Sequence, residues 1–184
     1  MITIGIIVAI LAIAIIWAIS VYNGLVNKRV NVQEGWSSID VFLKKRNDLV
    51  PNLVETVKGY ASHESSVLQN VVEARNLSGK AQSAKEQGVA ESTMQNAMMN
   101  LFAVAENYPD LKANSNFISL QQDLNALEDD IEMARRYYNG TVKENNVAIE
   151  VFPSNMIANT FKFEKAEFFE IQNVSEREVA QVKF

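Results

Sequence analysis

Apolar residues fill the start of the chain almost without interruption. From Ile2 to Ile19 only Thr3 and Gly5 are not apolar, and none carries a charge. A helix over that stretch is about 27 Å long, close to the ~30 Å hydrocarbon core of a bilayer. The pattern predicts one membrane-spanning helix over residues 1–20. Ala18-Ile19-Ser20 has the small-x-small form of a signal cleavage site. However, no Lys or Arg precedes the apolar run, and the run exceeds a signal peptide's, so an uncleaved anchor is the better reading. Gly5 and Ala9 form a small-xxx-small pair through which two spans could pack, although small residues also occur singly in lipid-facing spans.

Past the span the apolar positions fall into alternating steps of three and four. The series is Tyr22, Leu25, Val32, Trp36, Ile39, Leu43, Val50, Leu53, Val57 and Tyr60, with Arg29 and Arg46 in the remaining seam positions. This is a heptad-like helical seam. Its phase does not slip at Pro51, which predicts one long helix bent there, because proline cannot donate to the Asn47 carbonyl. The alternative is a restart with Asp48 as N-cap and Pro51 in the first turn. The pattern carries on through Val67, Val71 and Ala74. Residues 76–93, "NLSGKAQSAKEQGVAEST", are polar and are expected to connect two long arms. Met94, Met98, Leu101, Ala105 and Tyr108 predict a short amphipathic helix that Pro109 stops.

Asn114 or Ser115 can cap the next helix, whose seam is the steadiest: Phe117, Leu120, Leu124, Leu127, Ile131, Ala134 and Tyr138. Asn139-Gly140 resembles a hairpin turn, but it lies inside helical periodicity and is read as helix. Pro153 ends the element. "PSNMIANTF" then reads as a short helical cap, and "KFEKAEFFEI" as an apolar segment lying on the bundle. The whole predicts an all-α, antiparallel bundle over residues 21–160, with an apolar segment and tail over 161–184.

Charge narrows the function. With 17 basic and 22 acidic residues interspersed, the net charge is −5, which argues against a nucleic-acid surface. Cysteine is absent, which excludes disulfides and thiolate chemistry. Lys28 and Arg29 follow the span and nothing basic but the amino terminus precedes it. The positive-inside rule then places the N-terminus outside and the bundle in the cytoplasm. Lys44-Lys45-Arg46 lies roughly 36 Å beyond the span along a continuous helix, several times the ~8 Å Debye length, so it is not a lipid-binding patch. Lys44 and Lys45 read as a solvated face. Arg46 falls on the seam and requires a carboxylate inside the bundle.

Candidate chemistry is sparse. His63 is the only histidine, and next to Glu64 it reads as an exposed helix residue without a metal-site partner. Within the group Glu128, Asp129, Asp130 and Glu132, Glu128 and Glu132 share a helix face at i,i+4 and could hold a hard cation, but Glu132 also has the helical ion-pair spacing to Arg135 and Arg136. "RRYYN" at 135–139 mixes arginines with aromatics, yet Tyr138 is on the seam, which favours bundle packing. Phosphate-binding, dinucleotide-binding and nucleophile-elbow motifs are missing. No catalytic residue, cofactor or metal is expected.

Several segments nevertheless resemble one family. "YNGLVNKRVNVQEGWSSIDVFLKKRNDLVPNLVETVKGYASHESSVLQNVVEAR", "AENYPDLKANSNF", "ARRYYNGTVKENN" and "FPSNMIA" are similar to signature segments of the bacterial LemA family, and the terminal Val-x-Phe ending at Phe184 also fits. The likeness runs from about Tyr22 to Phe169, with Gly140 as a departure. It implies a short extracytoplasmic N-terminus, one span and a helical domain, and some members are linked to magnetosome membranes. It supplies no catalytic residue. The positions expected to serve structure or interaction are Gly5, Ala9, Arg46, Pro51, Tyr108, Pro109, Arg135, Tyr138 and Phe184. The expected role is a membrane-anchored scaffold or adaptor whose partners are the bilayer, other proteins and copies of itself. The alternative is an accessory subunit of a membrane protease or envelope-stress system.

Overall fold

A computed structural model of the chain describes residues 1–170. Helix α1, Ile2–Lys58, is 57 residues long and carries both the apolar span and the first arm of the bundle. It runs through Pro51, and Asp48 lies within it and not at an N-cap. The Asn47 carbonyl, which Pro51 cannot serve, accepts a hydrogen bond from Arg75 Nε at 2.7 Å. A guanidinium from another helix thus replaces the missing backbone donor.

Arg75 belongs to α2, Ser65–Ser78. The unbroken apolar spacing past Tyr60 conceals a turn, because α1 stops at Lys58 and α2 folds back along it. Ala61, inside that turn, is buried in the same core as Val57 and Leu68, so the turn fills a seam position that a helix would have filled. His63 lies in this turn and not on a helix.

The expected 76–93 connection is corrected to residues 79–83. Helix α3, Ala84–Ala105, begins much earlier than its methionines suggest. Ser83 Oγ accepts from the Glu86 backbone N–H at 3.2 Å, and the Glu86 carboxylate accepts from the Gln82 N–H at 2.8 Å. This is close to a capping box. Its first turns bury Gln87, Gly88, Ala90 and Glu91, a face with almost no apolar signal.

Helix α3 ends at Ala105, before Tyr108. Pro109 therefore does not terminate it but opens the one-turn α4, Pro109–Lys112, where its missing N–H costs nothing. Asn114 caps α5, Ser115–Glu150, by accepting from the Asn116 and Phe117 N–H groups. Gly140 lies within α5, and Pro153 stands at the N-cap of α6, Ser154–Thr160. The described residues contain no strand.

Helices α1 and α5 run antiparallel along their shared length. Farthest from the span, Val50, Leu53 and Val57 meet Val71, Met94, Leu101, Phe117 and Leu124 in a four-helix core. In the middle, Ile39 and Leu43 pack on Ile131, Tyr138 and Val142. Here Gly35 permits close approach, since a Cβ at that position would lie 3.1 Å from the Tyr138 Cα. Nearest the span, Leu25 packs on Ile149 and Ala158. The apolar stretch of α1 is uncovered by the fold, and α1 is the one helix among the described residues long and apolar enough to cross a membrane.

The proline carbonyl allows a direct test. Arg75→Met should destabilise the bundle by about 1.5–3 kcal/mol, the range for a charged hydrogen bond. In a Pro51→Ala background the loss should be clearly smaller, because the backbone N–H restored by that substitution can then donate to the Asn47 carbonyl. Chemical unfolding of the four variants in mild detergent measures the coupling.

Candidate functional site

The charged side chains buried among the described residues meet in one cluster. Helix α1 brings Arg46, α3 brings Glu91, and α5 adds the partly exposed Glu128. Arg46 is 0% exposed. Its Nη1 donates to Glu91 Oε2 and its Nη2 to Glu91 Oε1, both at 2.6 Å, which is the two-pronged geometry a guanidinium favours. Nη1 also donates to Glu128 Oε1 at 3.0 Å. Gln87 extends the network by donating from Nε2 to Glu91 Oε1 at 3.0 Å and to Ser78 Oγ at 2.9 Å. Burial pulls the Arg46 pKa down, but the hydrogen bonds and charge of Glu91, then those of Glu128, outweigh it and hold the guanidinium above its ordinary value. The Arg46 guanidinium therefore stays charged inside the cluster. Beside it a cleft of about 280 Å³ opens to solvent, bordered by Trp36, Asp40, Lys44, Asn47, Ser78 and Gln87.

A second constellation lies nearer the span. Residues 163–170 carry no helix and cross the bundle as a strap. Asn146 donates from Nδ2 to the Ala166 carbonyl and accepts from the Ala166 N–H, both at 2.9 Å. Asn139 does the same for Phe169, at 3.0 and 2.9 Å. Each carboxamide takes the place of a neighbouring strand. The spacing explains why two suffice, since seven helical residues advance about 10.5 Å and three extended residues about 10 Å.

Tyr138 Oη donates to the Glu167 carbonyl at 2.8 Å, and burial, then the Glu167 charge, raises the phenol's pKa. Phe169 is buried beside Trp36, with the Arg135 guanidinium 5.1 Å from its ring centre. On the opposite side Gly88 leaves room for the Glu170 carbonyl, which any Cβ there would overlap.

The sequence candidates are thus distributed and not convergent. Arg46 is central to the charged cluster, and Pro51 lies beyond it on α1. Arg135 and Tyr138 support the strap. Tyr108 Oη donates to Glu64 Oε1 at 3.3 Å in the turn that Pro109 follows. Gly5 and Ala9 are exposed on the span, and Phe184 lies outside the described residues. Among the acidic candidates, Glu132 pairs with Arg136 at 3.5 Å, whereas Glu128 turns inward to Arg46. Sequence reasoning missed Glu91, Arg75, Gly88 and the two asparagines. Ser83-x-x-Glu86 was the available signal for the early start of α3. Nothing local marks Asn139 and Asn146 except their seven-residue spacing.

Removing Arg46 should leave the Glu91 carboxylate buried without a counter-charge, held only by Gln87. Arg46→Ala is expected to cost about 3–5 kcal/mol, whereas Arg46→Met/Glu91→Leu should lose less than either single change. Lys44→Ala should stay within about 0.5 kcal/mol of wild type. Denaturant midpoints measure all of these. Separately, Gly88→Val should displace the strap, read as faster hydrogen exchange at the Ala166 and Phe169 amides with the α1–α5 amides unchanged.

Comparison with known proteins adds identity to this geometry. The model of the LemA family matches residues 35–184, a range that contains Arg46, Glu91, Glu128 and both clamp asparagines. Magnetosome protein MamQ 1 of Paramagnetospirillum magneticum is 25% identical over 175 residues, covering 81% of this chain and 64% of the relative. Magnetosome protein MamQ of Magnetospirillum gryphiswaldense is 25% identical over 174 residues, covering 80% and 64%. Protein LemA of Metamycoplasma hominis is 24% identical over 158 residues, covering 85% and 72%. The chain thus spans 64% of the length of the MamQ proteins it matches. By the extent of the family match, the chain belongs to the LemA family.

Proposed function

We propose that the chain is a membrane-anchored helical scaffold or adaptor that presents its bundle to partner proteins or to copies of itself. The observation that carries this reading is the continuity of α1, a single 57-residue helix that is both anchor and first arm. No linker separates the two, so the bundle is held at a defined distance from the bilayer. The charged cluster supports the same reading, because the two Nη groups of Arg46 bond Glu91 and Glu128 and so join three helices. The proposal includes no reaction, cofactor, metal or nucleic acid. Lys28 and Arg29 favour a cytoplasmic bundle with the N-terminus outside. Relatives named as magnetosome proteins fit a role in membrane organisation.

Cross-linking in native membranes and sedimentation in mild detergent test the proposal. The full chain should form discrete homo-oligomers, and residues 21–184 alone should be monomeric or weakly associated, since Gly5 and Ala9 provide span contacts. A full chain that remains monomeric and co-purifies in fixed ratio with a membrane protease would replace the scaffold by an accessory subunit.

A further inference from the structure

The membrane end of the bundle carries more exposed apolar surface than a water-facing surface needs. Phe152 is 79% exposed, Met156 59% and Phe161 57%. Phe152 lies at the elbow between α5 and α6, Met156 on α6 and Phe161 at the C-cap of α6, so all three belong to one short segment. Ile157, Ala158 and Phe163 from the same segment point the other way and pack with Leu25, Ile149 and Val21. The elbow therefore has one apolar face on the bundle and a second apolar face directed outward.

The height of the elbow is set by α1. Leu25 faces Ile149, and α5 runs antiparallel to α1, so each residue after Ile149 is level with one nearer the span. Val21, one turn nearer the span than Leu25, packs on the same cluster. Phe161 touches the end of the span directly. Its ring centre is 4.8 Å from that of Tyr22, and it shares an apolar hollow with Ile15, Ala18, Ile19 and Tyr22. A helix starting at Ile2 needs about 20 residues to cross a ~30 Å hydrocarbon core. Ile15, Ala18 and Ile19 then lie in the leaflet on the bundle's side, and a side chain packed against them cannot be in bulk water. Lys162, next to Phe161, is exposed with φ 55°, which turns the chain back toward the bundle.

We infer that the α5–α6 elbow is a second membrane contact. Phe152, Met156 and Phe161 enter the headgroup–acyl boundary of the leaflet adjoining the bundle, beside the span. The occupant of this apolar face is lipid, because the face is continuous with helix residues that are themselves in lipid. The arrangement matches interfacial segments whose apolar side chains sink roughly 5–10 Å into the boundary. A single span leaves rotation of its domain about the span axis unrestrained. A lateral foot beside it fixes which side of the bundle faces the membrane.

The absence of cysteine makes site-directed labelling unambiguous. Full-length chains carrying a single Phe152→Cys, Met156→Cys or, as control, Met133→Cys are spin-labelled and reconstituted in phosphatidylcholine–phosphatidylglycerol vesicles. Met133 is 53% exposed on α5, far along the bundle from the elbow. Accessibility to oxygen, which concentrates in lipid, is compared with accessibility to a water-soluble nickel chelate. The expected result is an oxygen-to-nickel ratio several-fold higher at 152 and 156 than at 133. Equal ratios at the three sites, with helical content unchanged by circular dichroism, overturn the inference and leave the elbow as a surface for a protein.

Discussion

A guanidinium fully removed from water is the constraint around which the bundle is arranged. Transfer of an isolated charge into a protein interior costs several kcal/mol and is tolerated only with well-placed counter-charges. Arg46 obtains them from two different helices, Glu91 on α3 and Glu128 on α5. Its position therefore ties α1, α3 and α5 into one register. A shift of any of the three by a turn would strand a buried charge. An apolar seam alone does not penalise slippage so heavily, because leucine and valine contacts are exchangeable along it. The cluster sits between the four-helix core and the thinner middle section, where the number of packed helices falls and register is least protected by apolar contacts.

The same substitution of side-chain for main-chain groups recurs at two other points. Pro51 leaves the Asn47 carbonyl without its helical donor, and Arg75 supplies one. The strap has no strand beside it, and Asn139 and Asn146 supply both donor and acceptor. In each case a polar side chain from a neighbouring helix completes a backbone that regular structure would otherwise satisfy. The strap in turn provides Phe169 to the middle core. An extended segment thus fills a place that a further helix would take in a regular four-helix bundle.

Much of the helical architecture was legible from periodicity. The anchor, the passage of α1 through Pro51, the long α5 and the inclusion of Asn139-Gly140 in it all follow from an unbroken apolar phase. What periodicity hid was of two kinds. The turn at 59–64 kept the phase because Ala61 fills the core from a non-helical backbone. The start of α3 was hidden because its buried face is Gln87, Gly88, Ala90 and Glu91, residues that look exposed on a hydropathy pattern. Arg46 announced the need for a carboxylate but could not name it, since a buried acid is indistinguishable in sequence from a solvated one. Gly88 and the clamp asparagines were illegible for a related reason, because their roles are defined by the strap, a segment far from each of them along the chain.

The unbroken α1 also makes the protein a lever. From the end of the span to Lys58 the helix reaches about 57 Å. Spans accommodate bilayers thinner than themselves by tilting, commonly by about 20°. A stiff arm of that reach converts such a tilt into a sideways displacement of roughly 20 Å at its far end. Bilayer thickness would in this way be transduced into the lateral position of the four-helix tip, amplifying a change of a few ångströms in the lipid into one comparable to a small domain's radius.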